Sequence, residues 1–281
     1  MPPATTRFAP SPTGLLHLGH AHAAIFAQRA GGRLLLRLED IDRSRCRPDY
    51  AAAALQDLAW LGLSWEQPVR VQSAHFSEYA AVLAGLQARG LLYPCFCTRA
   101  EIAASAGAPH QLPLGPDGAL YPGTCRALTP AQRAERQAAG LPYALRLDMA
   151  AALRVVPQPL YFDEVGEGLL RCDPAGFGDV VLARKDTPAS YHLCVCHDDA
   201  LQGVTLVTRG VDLKPATHLH RLLQALCGWP APRYRHHGLL LGPDGRRLAK
   251  RDHAPTLRAL RDAGRTPAEV RALAGFPDPG D

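Results

Sequence analysis

The chain has 281 residues, of which 47% are hydrophobic and 20% are charged, so it can bury one large core or two smaller ones. No apolar run is long enough to cross a bilayer, and residues 1–6 lack the features of a secretory signal, so we expect a cytoplasmic protein with no membrane partner. In that compartment the eight cysteines are expected to be mostly reduced, and the net charge of +5 permits a polyanionic partner without requiring one.

Residues 1–90 alternate apolar runs with helical patterns, and we assign them to the first half of an α/β domain. Residues 33–38 predict a buried strand, and residues 48–60 predict a helix with proline in its first turn. A second helix is predicted from about residue 73 to residue 89. This order of strand, helix and strand predicts an α/β fold with a parallel sheet and crossover helices.

Residues 91–178 have a different texture and are predicted to form an inserted α+β subdomain. Two capping boxes, Thr98 with Glu101 and Thr129 with Gln132, mark the starts of short helices. The insert also contains a cluster of cysteines.

The alternation of strands and helices returns after residue 178, so residues 179–242 are predicted to be the second half of the same domain. Residues 243–281 are predicted to hold a loop and short C-terminal helices. The predicted elements are strands at 179–184, 205–209 and 235–241 and helices at 218–227, 256–263 and 267–274.

The segment RFAPSPTGLLHLGH, residues 7–20, carries the strongest functional signal. It predicts a short strand, a loop and then a helix, and Gly14 and Gly19 allow close approach of the backbone to a ligand. The start of a helix attracts phosphates. His17 and His20 are three residues apart, so both are expected on one side of the first turn, where they could donate hydrogen bonds to phosphate oxygens. On spacing alone they could also be ordinary surface residues.

A basic segment, residues 246–251, follows a predicted turn at residues 243–245. A lysine such as Lys250 on a loop can neutralise a pyrophosphate leaving group. The alternative is a basic surface turn.

Three carboxylates, Glu39, Asp40 and Asp42, follow the predicted strand 33–38. Ligands of parallel sheets bind at the carboxyl ends of strands, so Glu39 could pair with a substrate ammonium. Asp40 and Asp42 could orient arginines or the loop backbone. An acidic turn between strand and helix is the alternative.

Two groups of cysteines lead to different predictions. Cys95, Cys97 and Cys125 predict a structural Zn²⁺ site, for which His110 is the ordinary fourth ligand. The segment 194–197, Cys-Val-Cys-His, is interpreted as a strand whose cysteines are small buried core residues.

The segment at residues 7–20 resembles the "HIGH" signature of class I aminoacyl-tRNA synthetases in its glutamyl form. Arg247 to Arg251, RLAKR, is similar to a degenerate "KMSKS" loop, in which Arg247 and Ala249 depart from the usual residues and Lys250 is retained. The resemblance implies a Rossmann-type parallel sheet with an inserted zinc-containing subdomain and a short helical C-terminal end.

The same resemblance implies the residues of the site. The expected catalytic residues are His17, His20 and Lys250, which bind ATP together with Gly19. The expected glutamate-binding residues are Arg7, Ala9, Ser11, Glu39, Tyr191 and Arg209, with the two arginines gripping one carboxylate. The zinc ligands implied are Cys95, Cys97, Tyr121 and Cys125, with Tyr121 preferred over His110.

The match covers the catalytic half of glutamyl-tRNA synthetases without their helical anticodon-binding region. This combination resembles the glutamyl-Q tRNA(Asp) synthetase family, which implies ATP-dependent formation of glutamyl-adenylate, with Mg²⁺, and transfer of glutamate to the queuosine base in the anticodon of tRNA(Asp). The expected partners are L-glutamate, ATP and that tRNA, and a monomer is expected. The alternatives are a short glutamyl-tRNA synthetase that charges tRNA 3′ ends and an inactive paralogue that binds RNA or a protein.

Overall fold

The computed structural model describes residues 3–104, 113–240 and 255–277. The strands in these ranges are β1 Thr5–Phe8, β2 Arg33–Leu38, β3 Glu66–Val71, β4 Leu92–Cys95, β5 Leu114–Gly115, β6 Gly118–Ala119, β7 Ala144–Leu147, β8 Tyr161–Glu164, β9 Gly168–Arg171, β10 Val181–Ala183, β11 Leu206–Gly210 and β12 Arg233–His237. The helices are α1 Leu18–Ala30, α2 Pro48–Trp60, α3 Phe76–Ala88, α4 Arg99–Ala104, α5 Pro130–Ala138, α6 Met149–Val155, α7 Tyr191–Leu201, α8 Ala216–Cys227, α9 Leu257–Asp262 and α10 Pro267–Leu273. Short 3₁₀ turns lie at Gln72–His75, Pro174–Phe177 and Val211–Leu213.

Parallel strands form the centre of the fold, as the sequence predicts. One sheet has the order β1-β2-β3, and β11 runs parallel to β12 beside it. The two sets meet where the Thr205 N–H donates to the Thr5 carbonyl at 3.0 Å and the Thr5 N–H donates to Thr205 Oγ1 at 2.9 Å. The order across the core is therefore β3-β2-β1-β11-β12. The strands that follow β1 are added on one side of it as far as β3, and β11 and β12 lie on its other side. Such a switch in strand order, here between β1 and β11, opens a crevice at the carboxyl ends of the strands.

Helices cover both faces of these strands, which makes the core doubly wound. On one face α1 and α2 pack with the C-terminal helices, where Leu257 and Val270 are fully buried. On the other face α3, α7 and α8 pack around residues such as Tyr79 and Leu193. Burial of each large apolar side chain contributes about 1.5–3 kcal/mol, so α9 and α10 belong to the same stable unit as the sheet. Within the described ranges, no helix has both the length and the apolar character needed to cross a membrane.

The strands of the predicted insert do not form a self-contained set. The antiparallel sheet β10-β7-β4 includes β10, which lies after residue 178. The hairpin β8-β9 lies before residue 178, but it joins the sheet of β11 and β12 through Tyr234 and Glu164. The predicted boundary at residue 178 therefore passes through both sheets.

The segment 194–197 is not a strand, so that prediction was wrong. It lies in the middle of α7, whose N-cap residue Ser190 accepts the Leu193 N–H on its Oγ at 3.3 Å. A short apolar run has the same periodicity in a buried helix as in a buried strand, and only the Ser cap distinguishes the two here. Cys194 and Cys196 are buried, as predicted, and His197 contacts Asp198 instead of pointing away from the core.

Candidate active site

A cavity of about 540 Å³ opens at the carboxyl ends of β1, β2, β11 and β12. Its position is the crevice expected at the reversal of strand order. Nine of the residues that the sequence predicts for glutamate and ATP line this one cavity: Arg7, Ala9, Ser11, His17, Gly19, His20, Glu39, Tyr191 and Arg209.

Two histidines cap the start of α1. His17 is the N-cap residue, and its Nδ1 accepts the Gly19 N–H at 3.1 Å. His20 Nδ1 in turn accepts the His17 N–H at 3.2 Å, and the ring centroids are 3.9 Å apart. A backbone N–H always donates, so each neutral imidazole carries its proton on Nε2. Both side chains therefore offer an N–H at the start of the helix, although His17 caps the first turn and does not lie in it.

Lys250 lies outside the described residues, as does the whole segment 241–254, and its role stays a prediction. The residues on either side of that segment are at the cavity. Leu240 lines it, and Thr256 pairs with His17. The Leu257 N–H also donates to the Leu16 carbonyl at 2.8 Å, which joins the C-terminal helices to the loop before α1.

Arg209 lies at the end of β11, where neutral side chains hold its guanidinium. Nε donates to His236 Nε2 at 3.2 Å, Nη1 to His220 Nδ1 at 3.1 Å and Nη2 to Thr217 Oγ1 at 2.6 Å. Within residues 3–104, 113–240 and 255–277, Arg209 forms no ion pair with a carboxylate. Its positive charge is therefore positioned without being neutralised by a carboxylate, and the Tyr191 hydroxyl is a further neutral partner of the guanidinium.

The histidines beside Arg209 are kept neutral. Burial lowers the pKa of His220 well below its ordinary value, and the adjacent Arg209 charge lowers it further. Burial and Arg209 also lower the pKa of His236, against the opposing effect of Glu164, whose carboxylate lies 2.7 Å from His236 Nδ1. Sequence reasoning missed His220, His236 and Thr217, because they become neighbours only when β11, α8 and β12 pack together.

Arg7 also lines the cavity, but its charge is already paired. Its Nε donates to Asp199 at 3.0 Å, and its Nη1 donates to the Thr208 carbonyl at 3.1 Å. Asp199 also accepts from the fully buried Arg37 at 2.6 Å. Burial alone would raise the pKa of Asp199, but Arg7 and Arg37 hold it below the ordinary value. One sequence signal for this cluster was not used, namely the adjacent aspartates 198 and 199 beside an apolar run.

Glu39 follows β2 and lines the same cavity, on the other side of β1 from Arg209. Its side chain is only 10% exposed, and its carboxylate lies 4.0 Å from Arg37 Nη1. Burial raises the pKa of Glu39 to about 7, while the charges of Arg37 and Arg7 act against that rise. A buried carboxylate with this pKa gains an ionic partner readily, which suits a substrate ammonium.

The other two acidic residues of this segment, Asp40 and Asp42, bind neither Arg7 nor Arg43, the two arginines of the motif region that they could have oriented. Asp40 accepts from Ser73 N and Oγ, which fixes the turn that follows β3. Asp42 binds Ser44 and Arg45, and these hydrogen bonds lower its pKa to about 2. Both residues stabilise loops around the cavity by accepting hydrogen bonds from loop backbone, which was one of the two roles considered for them.

Tyr191 begins α7 between two cavities. Burial raises the pKa of its hydroxyl, while the hydrogen-bonded Arg209 acts to lower it. A second cavity of about 310 Å³ shares Ser11, Glu39 and Tyr191 with the first. These three shared residues therefore line both cavities.

The predicted zinc ligands come together in the insert. The Sγ atoms of Cys95, Cys97 and Cys125 lie within 4.8 Å of one another. The Tyr121 hydroxyl lies 3.4 Å from Cys97 Sγ and accepts the Cys125 N–H at 2.7 Å. Three thiols and a phenol around one point match the ligand number of a structural zinc site. His110, the other candidate, lies outside the described residues.

Comparisons with known proteins show which family this chain is similar to. The family model "tRNA synthetases class I (E and Q), catalytic domain" matches residues 3–273. A protein of Rhodobacter capsulatus named glutamyl-Q tRNA(Asp) synthetase is 48% identical, and the match covers 96% of this chain and 99% of that protein. The glutamate–tRNA ligase of Aquifex aeolicus is 37% identical over 93% of this chain and 54% of the ligase.

A solved structure shows the same fold. The crystal structure of a glutamate tRNA ligase from Elizabethkingia meningosepticum in complex with its amino acid superposes with a TM-score of 0.78 at 26% identity. The superposition covers 96% of this chain and 60% of that one. This chain therefore spans a little over half of the length of the glutamate–tRNA ligases that it matches.

Proposed function

This chain belongs to the class I tRNA synthetases of the glutamyl and glutaminyl type, in the family of proteins named glutamyl-Q tRNA(Asp) synthetase, and on that premise we propose that it activates L-glutamate with ATP and transfers it to the queuosine base in the anticodon of tRNA(Asp). Its relatives are ligases by name. The observation that carries the proposal is the un-neutralised charge of Arg209 in the cavity that also holds Glu39 and the two histidines.

Glutamate fits the distribution of charge in this cavity. Its side-chain carboxylate would bind Arg209, because an arginine without an ion-pair partner attracts an anion most strongly. Its ammonium would pair with Glu39, whose pKa is raised chiefly by burial, because a neighbouring positive charge stabilises the ionised form of a buried carboxylate. The α-carboxylate would then point towards the start of α1, where ATP binds.

Activation would occur at the two capping histidines. An oxygen of the α-carboxylate attacks the α-phosphorus of ATP, pyrophosphate leaves, and glutamyl-adenylate forms. The Nε2–H groups of His17 and His20 would donate to phosphate oxygens that gain charge, and Lys250 would neutralise the leaving group. Mg²⁺, which is expected with ATP in this family, would supply further positive charge to the phosphates.

Transfer would use the second cavity. A hydroxyl of the queuosine cyclopentene ring attacks the carbonyl carbon of the mixed anhydride, and AMP leaves. The cavity of about 310 Å³ meets the glutamate pocket at Ser11, Glu39 and Tyr191, which gives the acceptor a route to that carbonyl. Positioning of the two substrates would supply most of the rate acceleration.

The cysteine cluster would hold a structural Zn²⁺ through Cys95, Cys97, Tyr121 and Cys125. The ion would tie the end of β4 to the loop at residues 121–125 and so fix the shape of the insert. Native mass spectrometry should find one zinc ion per chain, and Cys97→Ser should abolish it. Wild-type protein without zinc would contradict the site.

The transfer step is tested with radiolabelled glutamate and two forms of tRNA(Asp). We expect label on the queuosine-containing form and none on the queuosine-free form. Label at the 3′ end of either form would instead identify a glutamyl-tRNA synthetase. The activation step is tested separately by glutamate-dependent pyrophosphate exchange without tRNA, whose absence would identify an inactive paralogue.

A further inference from the structure

A line of hydrogen bonds runs from Arg209 to the surface of the insert. His220 Nδ1 lies 3.1 Å from Arg209 Nη1, and His220 Nε2 lies 3.0 Å from His192 Nδ1. His192 Nε2 then lies 2.9 Å from Asp117 Oδ2. The four residues come from β11, α8, the first turn of α7 and the turn between β5 and β6. The line therefore joins the glutamate pocket to a part of the insert that is distant in sequence.

The hydrogen bonds along this line can be donated in one direction only, from Arg209 towards Asp117. Arg209 is always charged and can only donate, so His220 accepts at Nδ1 and carries its proton on Nε2. His220 Nε2–H then donates to His192 Nδ1, which places the proton of His192 on Nε2, facing the Asp117 carboxylate. Each imidazole thus has one tautomer in which both of its contacts are satisfied.

The burial of these groups changes along the line. His220 is 2% exposed and has its pKa held well below the ordinary value by burial, so it stays neutral. The His192 side chain is 15% exposed and that of Asp117 is 47% exposed. Both line a further cavity of about 590 Å³, together with Arg99, Arg146 and Arg184. The anionic end of the line therefore lies in an accessible, largely basic cleft between the insert and the core.

We propose that His220 and His192 are positioning residues for glutamate recognition, and that Asp117 anchors them so that the Arg209 guanidinium keeps one orientation. Neutral partners are needed for this task, because a carboxylate in direct contact would neutralise the charge that binds the substrate. The inference rests on the proposed activation of glutamate. It assigns part of the glutamate specificity to residues that do not touch the amino acid.

The first test compares variants of α8 by pyrophosphate exchange without tRNA. We expect His220→Ala to raise the KM for glutamate about tenfold, the size expected for a hydrogen bond to a charged group, with the KM for ATP unchanged. His220→Gln should stay within about threefold of wild type, because its amide offers both an acceptor and a donor. His218→Ala is the control: His218 lies on the same helix but accepts from Asp173 N at 3.1 Å.

The second test avoids a buried substitution. His192→Phe keeps an aromatic ring but breaks the line, and we expect it to raise the KM for glutamate about threefold in the wild-type background. In an Arg209→Lys background it should have no further effect, because a lysine ammonium has no planar guanidinium for the histidines to orient. Thermal melting of every variant checks that folding is intact.

The outcomes separate the two proposals. Exchange with an unchanged KM for glutamate in His220→Ala and His192→Phe would overturn the positioning role and leave glutamate activation standing. Equal losses in His220→Gln and His220→Ala, or additive effects of His192→Phe and Arg209→Lys, would also overturn it. No glutamate-dependent exchange by the wild-type protein would overturn both proposals.

Discussion

The fold holds two kinds of arginine in or beside its core, and their surroundings differ in charge. Arg7, Arg37 and Arg70 lie on β1, β2 and β3 and form ion pairs with Asp198 and Asp199 of α7. Arg209 on β11 is surrounded by histidine and threonine side chains that are neutral. The first group fixes the sheet to a helix, because each charge is satisfied within the protein. The second arrangement holds a charge ready for a partner from outside.

The largest expected effect is the loss of stability when the buried ion pairs of Arg7 and Arg37 are broken. Asp199→Ala leaves Arg7 and Arg37 buried with less negative charge, and breaking such a pair costs about 3–5 kcal/mol of the free energy of unfolding. Urea denaturation measures this loss. The control is Asp163→Asn, which removes the exposed pair with Arg233 and should cost less than about 1 kcal/mol. Equal losses in the two variants would show that the buried cluster has no special structural role.

Arg209→Ala should have the opposite pattern, with a large loss of binding and a smaller loss of stability. Removing a buried charge that binds a carboxylate costs about 2–5 kcal/mol of binding, so the KM for glutamate should rise at least about thirtyfold. The KM for ATP should not change. Pyrophosphate exchange measures both values, and an unchanged KM for glutamate would remove Arg209 from the pocket.

The pH dependence of glutamate binding tests the opposite wall of the cavity. Glu39 has a pKa of about 7 because of burial, so it is protonated at pH 6 and cannot pair with an ammonium. The KM for glutamate should therefore fall as the pH rises through about 7, by up to about tenfold per pH unit below that value. Glu39→Gln should flatten this profile while raising the KM at pH 8, and a profile identical to wild type would exclude Glu39.

Glu39→Gln should also change the free energy of unfolding, by an amount that depends on pH. The pKa of Glu39 is higher in the folded than in the unfolded chain, so its stabilising contribution is fully present below about pH 4.5 and is lost as the pH rises through about 7. Glu39→Gln should therefore be more stable than wild type at pH 8 and no more stable at pH 4. Thermal unfolding at the two pH values measures the difference.

The smallest expected effect is at Thr217. Its Oγ1 accepts from Arg209 Nη2 at 2.6 Å, and its side chain is fully buried. Thr217→Val keeps the shape but removes one of the neutral partners of the guanidinium, so the KM for glutamate should rise about threefold to tenfold. No change would show that the remaining partners are enough to hold the guanidinium.

The sequence pointed to residues that line the cavity, but it did not point to the residues that hold the Arg209 side chain in place. Glu39 follows β2, Arg209 lies near the end of β11 and His17 caps α1, and the motifs shared with the resembled family pointed to all three. His220 and His192 carry no such signal, since they meet only when α8 packs on α7. The helix 48–60 was predicted with its observed bounds, whereas α7 was mistaken for a strand because a short apolar run does not distinguish the two.

The reciprocal cap at the start of α1 has a consequence for mutagenesis of the two histidines. Because His17 accepts the Gly19 N–H and His20 accepts the His17 N–H, replacing either one by alanine should loosen the first turn and remove a proposed phosphate donor at the same time. A lost N-cap costs about 0.5–2 kcal/mol on its own. A rate loss in such a variant would therefore combine helix fraying with the proposed loss of phosphate binding. Asparagine at position 17, which can cap a helix without an imidazole, would separate the two contributions.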